Sequence, residues 1–305
     1  MHVAILGGGA MGGLYAAAAL EAGHSTVIVD PSTPLVEAIE RKGLLLREPD
    51  GAEQLYHPTV LTDASDQDAA DVAVIAVKSH HTVSALDLAG PLVGPQTTLV
   101  TLQNGWGNAD RVRAARPANP IVVGVAYSSA TILAPAQVHA TNRAPTIIGA
   151  DGEDDQESVA SVVSALDGPR FQVTVSDGIH REIWSKLVLN AAVLSPTALT
   201  GMAMGAAGAS DCLRPLIEAL AHEAVVVGNA AGFGLDGAER IEAIFRILRG
   251  AGPGRTSMHQ DIEAGRPTEI SVVNGAVCEM ARRLDLDVPV NRAMVALIEA
   301  REAAS

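Results

Sequence analysis

The segment MHVAILGGGAMGGLYAAAAL at the N-terminus restricts the fold more than any other feature of the chain. An apolar run, HVAIL, leads directly into a glycine-rich turn, and the turn opens an alanine-rich stretch with the composition of a buried helix. Gly7, Gly9 and Gly12 form a G-x-G-x-x-G pattern, and its place between a strand and a helix gives the pattern its meaning. Gly7 permits the tight turn, Gly9 allows pyrophosphate to approach the backbone, and Gly12 lets the helix pack on the strand. Ala10 and Met11 open the helix, whose unpaired N–H groups and positive dipole end suit phosphate oxygens. A dinucleotide site over Gly7, Gly9, Ala10, Met11 and Gly12 is therefore predicted.

A second apolar run, STVIV, ends in Asp30. An acid ~20 residues beyond the glycines is where the dinucleotide fingerprint places its ribose-binding carboxylate. Such a carboxylate accepts from ribose hydroxyls and repels a 2′-phosphate. No Lys or Arg follows until Arg41, so the local chemistry favours NAD, with NADP as the alternative. The competing reading is that Asp30 only begins the turn DPST, since Asp is common ahead of Pro.

Short Val/Ile-rich segments alternate with helical ones as far as about residue 177, as βαβ units do. HVAIL, STVIV, DVAVIAV, TTLVTL, PIVVGVA and FQVTV read as strands of a parallel sheet buried on both faces. LLLREPDG and AEQLYHPTVL read as a smaller strand pair around an Asp-Gly turn. YSSATI, AQVHA and PTIIGA read as further, antiparallel strands, and DGEDDQE as a charged loop and helix start. Beyond SDGIHREIW the strand signal fades into long helices broken at GMAMGAAGAS, GFGLDG, RGAGPGR and DLDVP. The expectation is an α/β chain: a Rossmann doubly wound sheet over 1–177 and an all-helical substrate and catalytic domain over 178–305.

At 305 residues the chain is long enough for two cores. Its net charge of −14 includes no basic cluster, which argues against nucleic acid or an anionic membrane as partner. Cys212 and Cys278, the two cysteines, lack the spacing of a metal or redox motif, so no metal is expected and both read as reduced thiols. No apolar run approaches the ~20 residues of a membrane span, and a cytoplasmic location is expected. A homodimer is the one macromolecular partnership kept open, because helical second domains of this kind often dimerise.

In the helical half, REIWSKLVLNAAVL carries Lys186 and Asn190 four residues apart and hence on one face. Burying an ammonium is costly without a compensating carboxylate or ligand, which makes Lys186 a functional candidate; the alternative is that its stem reaches past apolar neighbours to solvent. Ser257 and Glu269 lie in the polar segment SMHQDIEAGRPTEI. Asn104 follows the strand of VTLQNGWG, and Lys78 follows DVAVIAV. Both occupy positions just past strand carboxyl ends, where parallel sheets present ligand-facing residues.

The order of LGGGAMGG, VIAVKSHH, LQNGWG, REIWSKLVLNAAV and SMHQDIEAGRPTEI resembles the ketopantoate reductase family over nearly the whole chain. The resemblance implies reduction of a 2-oxo acid by a nicotinamide cofactor, in a cleft between a Rossmann domain and a helical one. It also implies that Lys186 is the catalytic lysine acting on the substrate carbonyl oxygen and that Glu269 is an essential glutamate. Asn104, Asn190 and Ser257 match substrate-orienting positions, and Lys78 and Asn104 lie at the cofactor cleft. This chain departs from the family at two places. A basic residue suited to NADPH is usual where Asp30 stands, and the family's usual N-A-A-I-N-P-L-T-A run is here NAAVLSPTA (190–198), so that Leu194 replaces a second asparagine and makes the substrate pocket locally more apolar.

Three functions follow as expectations. The first is an NADH-dependent reductase turning a 2-oxo acid with an apolar or aromatic side chain into a D-2-hydroxy acid. The second is an NADPH-dependent 2-dehydropantoate 2-reductase of pantothenate biosynthesis. The third is a non-catalytic dinucleotide-binding regulatory protein, against which the Lys186 and Glu269 pair argues.

Overall fold

The computed structural model describes residues 1–152 and 155–304. It divides into two compact units. One comprises Met1–Gln103 and Asn108–Ile179; the other comprises Asn104–Gly107 and the chain from His180 onward. The short 104–107 segment, contiguous in sequence with the first unit, thus belongs with the helical one.

The first unit opens with strand β1 (His2–Leu6), helix α1 (Ala10–Glu21), strand β2 (Ser25–Val29) and helix α2 (Thr33–Lys42). Next come β3 (Leu44–Arg47), β4 (Glu53–Tyr56), β5 (Thr59–Leu61), β6 (Val72–Ile75), α3 (Thr82–Ala89), β7 (Thr98–Thr101), α4 (Asn108–Ala115) and β8 (Ile121–Ala126). The unit closes with β9 (Ser129–Ala134), β10 (Gln137–Asn142), β11 (Thr146–Ala150), α5 (Gln156–Leu166) and β12 (Val173–Val175). Among the described residues, eight strands form one sheet in the order β12-β11-β8-β7-β6-β1-β2-β5. β1, β2, β5, β6, β7 and β8 run parallel to one another. Val3, Ala4, Ile5 and Leu6 on β1 and Val72, Ala73 and Val74 on β6 are all fully buried, as strands covered on both faces require. The order reverses direction between β1 and β6, so the carboxyl ends of these two strands form the topological switch point where such sheets bind ligands.

Three strand expectations need correction. FQVTV yields only the short β12, which pairs parallel to β11 and so runs against the parallel core strands; β11, from PTIIGA, is antiparallel to β8 as expected. AEQLYHPTVL splits: β4 pairs with β3 across the Asp-Gly turn, whereas β5 leaves to pair parallel with β2. β10 pairs antiparallel with β9 but parallel with β3, giving a second sheet in the order β4-β3-β10-β9. Each strand was recognisable from its residues, whereas its partner depends on tertiary contacts. DGEDDQE includes residues 153 and 154, outside the described residues; Asp155 caps α5 by accepting the Ser158 N–H at 3.0 Å.

The second unit is built on α6 (Ile179–Thr200), followed by α7 (Met204–Gly208), α8 (Arg214–Ala230), α9 (Gly237–Gly250), α10 (Ser257–Glu263), α11 (Asn274–Arg283) and α12 (Pro289–Ala303). Trp184, Leu187, Val188, Ala191 and Ala192 of α6 are buried in its hydrophobic core with Leu220 and Ala224 of α8 and Phe245 and Leu248 of α9. A buried polar chain ties four helices together. Asn274 donates to the Ala191 carbonyl and to Asn291 Oδ1, both at 2.9 Å, and Asn291 donates in turn to the Glu223 carboxylate at 2.8 Å. Glu223 also accepts the Val290 and Asn291 N–H groups at 2.9 Å each, capping the first turn of α12 from α8. No helix among the described residues is long and apolar enough to cross a membrane.

Candidate active site

The glycine turn of the first unit is shaped by close approaches on one side and open space on the other. Gly7 has φ +106°, and a Cβ there would lie 2.6 Å from Val77 Cγ1. A Cβ on Gly12 would lie 1.9 Å from the Gly7 carbonyl oxygen, so only glycine lets α1 sit this close to β1. Gly9 has nothing within 4 Å of its Cβ position and stands at the N-cap of α1, where it has no side chain to occupy the helix N–H groups. Ala10 and Met11 form the first turn behind it.

Asp30, at the carboxyl end of β2, accepts the Gly8 N–H through Oδ2 at 2.7 Å and the Ser32 N–H through Oδ1 at 2.9 Å. It therefore belongs to both the glycine turn and the DPST turn. A carboxylate offers about four acceptor positions, so acceptor capacity is left for hydroxyl donors. Lys78 follows β6 in extended conformation and stands at the N-terminal end of the short turn Ser79–His81. Gln103, which sequence reasoning passed over in favour of Asn104, braces this edge. Its Nε2 donates to the Val77 carbonyl at 2.7 Å and to Thr82 Oγ1 at 3.0 Å, and its Oε1 accepts from Thr101 Oγ1 at 3.0 Å.

In the second unit, Lys186 lies on α6 with burial pushing its ammonium down to about 8, and the Glu269 carboxylate opposes that shift. Glu269 immediately precedes a single 3₁₀ turn, Ile270–Val272. That turn is anchored where Thr268 N–H donates to Glu302 Oε1 at 2.7 Å. Asn190, buried, sits one helical turn past Lys186 on the same face of α6. Leu194 lies one turn further along, within the unit's hydrophobic core.

Asn104 belongs to the segment held against Glu269's turn: Trp106 N–H donates to the Val272 carbonyl at 2.9 Å, and a Cβ on Gly105 would lie 2.2 Å from the same oxygen. Ser257 is exposed at the start of α10. Thr256, just before it, caps α10 and meets Thr197 of α6 hydroxyl to hydroxyl at 2.9 Å. The structure thus couples Lys186 with Glu269 and ties the Asn104 segment to Glu269's turn. It also joins Asp30 to the glycine turn and sets Ser257 beside a buried threonine contact. Of the braces that sequence reasoning missed, the one visible hint was Trp106 flanked by Gly105 and Gly107, both at positive φ.

A Rossmann unit joined to a helical unit that carries a buried lysine opposed by a glutamate puts the chain in the class of NAD(P)-dependent oxidoreductases. Residues 3–153 match the family model described as Ketopantoate reductase PanE/ApbA, and residues 178–302 match Ketopantoate reductase PanE/ApbA C terminal. The chain belongs to the ketopantoate reductase family. A 2-dehydropantoate 2-reductase of Mesorhizobium japonicum is 31% identical, covering 98% of this chain and 97% of that protein. Among solved structures, a PanE/ApbA family ketopantoate reductase from Ralstonia eutropha JMP134 superposes with TM-score 0.89 at 27% identity, covering 100% of this chain and 99% of the other. A D-mandelate dehydrogenase solved with NADH and anilino(oxo)acetate shares the fold with TM-score 0.91 at 22% identity, covering 100% of this chain and 99% of that one.

Proposed function

We propose that the chain is an NADH-dependent reductase of 2-oxo acids that yields D-2-hydroxy acids, with Lys186 as the proton donor. The observation that carries the reductase reading is Lys186 itself, an ammonium lowered by burial to about 8 and steadied by Glu269, and the choice of NADH rests on Asp30. At neutral pH it stays protonated, yet it is acidic enough to give its proton to a developing alkoxide.

The dinucleotide fits the glycine turn, because the backbone is closed against β1 at Gly7 and Gly12 and open at Gly9, beside the N–H groups of α1. Asp30 would hold the ribose and disfavour a 2′-phosphate, and Lys78 would serve the same ligand from the end of β6. When bound, the nicotinamide supplies the hydride for C2. Asn104, Asn190 and Ser257 orient the oxo acid, Lys186 Nζ holds the carbonyl oxygen and protonates it, and Glu269 compensates the ammonium. Leu194 favours substrates with branched or aromatic side chains; the fold neighbour that holds anilino(oxo)acetate is in keeping with that preference.

A second reading, NADPH-dependent reduction of 2-dehydropantoate, is favoured by the relative of that name at 31% identity. Both readings share Lys186, so K186A tests the common core. Turnover is expected to fall by about 10²–10⁴-fold, the usual contribution of a general acid, and unchanged turnover removes Lys186 from the mechanism.

A further inference from the structure

Both tryptophans of the chain lie in one aromatic cluster within the helical unit. The Trp106 ring stands edge to face on Trp184, with centroids 5.2 Å apart and planes at 75°, and also packs on Phe233 at 5.3 Å and His180 at 5.8 Å. Trp184 is a fixed floor for it. It is fully buried, its Nε1 donates to the Ala224 carbonyl of α8 at 2.9 Å, and a Cβ on Gly228 would lie 2.4 Å from that nitrogen.

Trp106 is held equally firmly by its main chain. Its N–H donates to the Val272 carbonyl at 2.9 Å, three residues past Glu269, and Gly105 lets the two backbones touch. One residue therefore grips two segments: its ring holds α6 two residues before Lys186, and its backbone holds the turn that follows Glu269. Two residues along a helix point to opposite sides, so the ring leaves Lys186's own face clear and acts by fixing where the helix lies.

We infer that Trp106 is a positioning residue that sets the spacing between Lys186 and Glu269, clamping α6 to the 270–272 turn. The inference rests on the reading of Lys186 as proton donor with Glu269 as its partner. Lys186's acidity reflects a balance between burial and Glu269's charge, so a change of spacing must appear in a pH profile.

The test is the pH dependence of kcat/KM for W106A, W106F and G105A, using NADH and the 2-oxo acid that wild type reduces best, with K186A alongside. W106A loosens the ring contact and G105A drives the backbone off Val272, so both are expected to move the alkaline limb by about half a pH unit or more. Both should lower kcat by about tenfold or more, with KM changing far less, as misplacement of catalytic groups does. W106F keeps a ring of shorter reach and should give an intermediate limb and recover most of the lost kcat; if W106A does not fold, W106F decides. Limbs at the wild-type position in the folded variants overturn the clamp. Full turnover by K186A instead overturns the underlying reading, whatever Trp106 does.

Discussion

Asp30 accepts the Gly8 N–H at 2.7 Å, which makes the acid at the end of β2 a structural part of the glycine turn at the end of β1. On the proposed reading, cofactor choice and turn geometry depend on the same carboxylate, and substitutions there should separate the two roles.

D30N keeps an acceptor for Gly8 while losing the charge. Its amide nitrogen replaces the oxygen that accepts the exposed Ser32 N–H, so the variant is expected to lower the melting temperature less than D30A does and to lose much of the preference for NADH over NADPH, read from the ratio of the two kcat/KM values. D30A leaves the buried Gly8 N–H unpaired and should also lower stability by about 1–3 kcal/mol, read from denaturant melts.

The acidity of Lys186 sets the pH dependence. As the proposed proton donor, Lys186 is protonated below about 8 and loses that proton above it, so kcat/KM for reduction should fall as pH rises through that value, while oxidation of the hydroxy acid should gain. A pH-rate profile in both directions checks this. An alkaline limb near the ordinary lysine range would show that burial does not govern the group.

The same shift makes a statement about stability. A lysine lowered by burial is easier to protonate in the unfolded chain, so its penalty is fully present below pH 8 and relieved as pH rises toward the ordinary value of 10.5. K186M is expected to raise the melting temperature at pH 7 while lowering turnover as K186A does. The gain is bounded by a shift on the order of 3 kcal/mol.

Glu269 opposes the effect of burial on Lys186. Removing its charge in E269Q should therefore move the alkaline limb to lower pH, whereas a Glu269 that acted only through structure would leave the limb in place. The kcat/KM profile of E269Q distinguishes these.

Much of this architecture can be read from the sequence because its causes are local. HVAIL followed by Gly7, Gly9 and Gly12 changes from strand to helix within a few residues, and the W-x-K-L helix carries Lys186 and Asn190 on one face at a spacing any helix enforces. What could not be read depends on distant partners. β5 pairs with β2 and β12 with β11 because of tertiary packing that no window of residues reports. Residues 104–107 look like the tail of β7, and only the Gly105 approach to Val272 and the Trp106 contact with Trp184 assign them to the helical unit. The chain from Asn274 through Asn291 to Glu223 is likewise invisible until α8, α11 and α12 are side by side.

The central claim is NADH-dependent reduction of a 2-oxo acid, and it is tested most directly by following NADH and NADPH oxidation by the purified protein. The substrates are branched and aromatic 2-oxo acids beside 2-dehydropantoate. The account predicts the largest kcat/KM with NADH and an apolar or aromatic 2-oxo acid. A strong preference for NADPH together with 2-dehydropantoate, or no turnover with any pair, would contradict it.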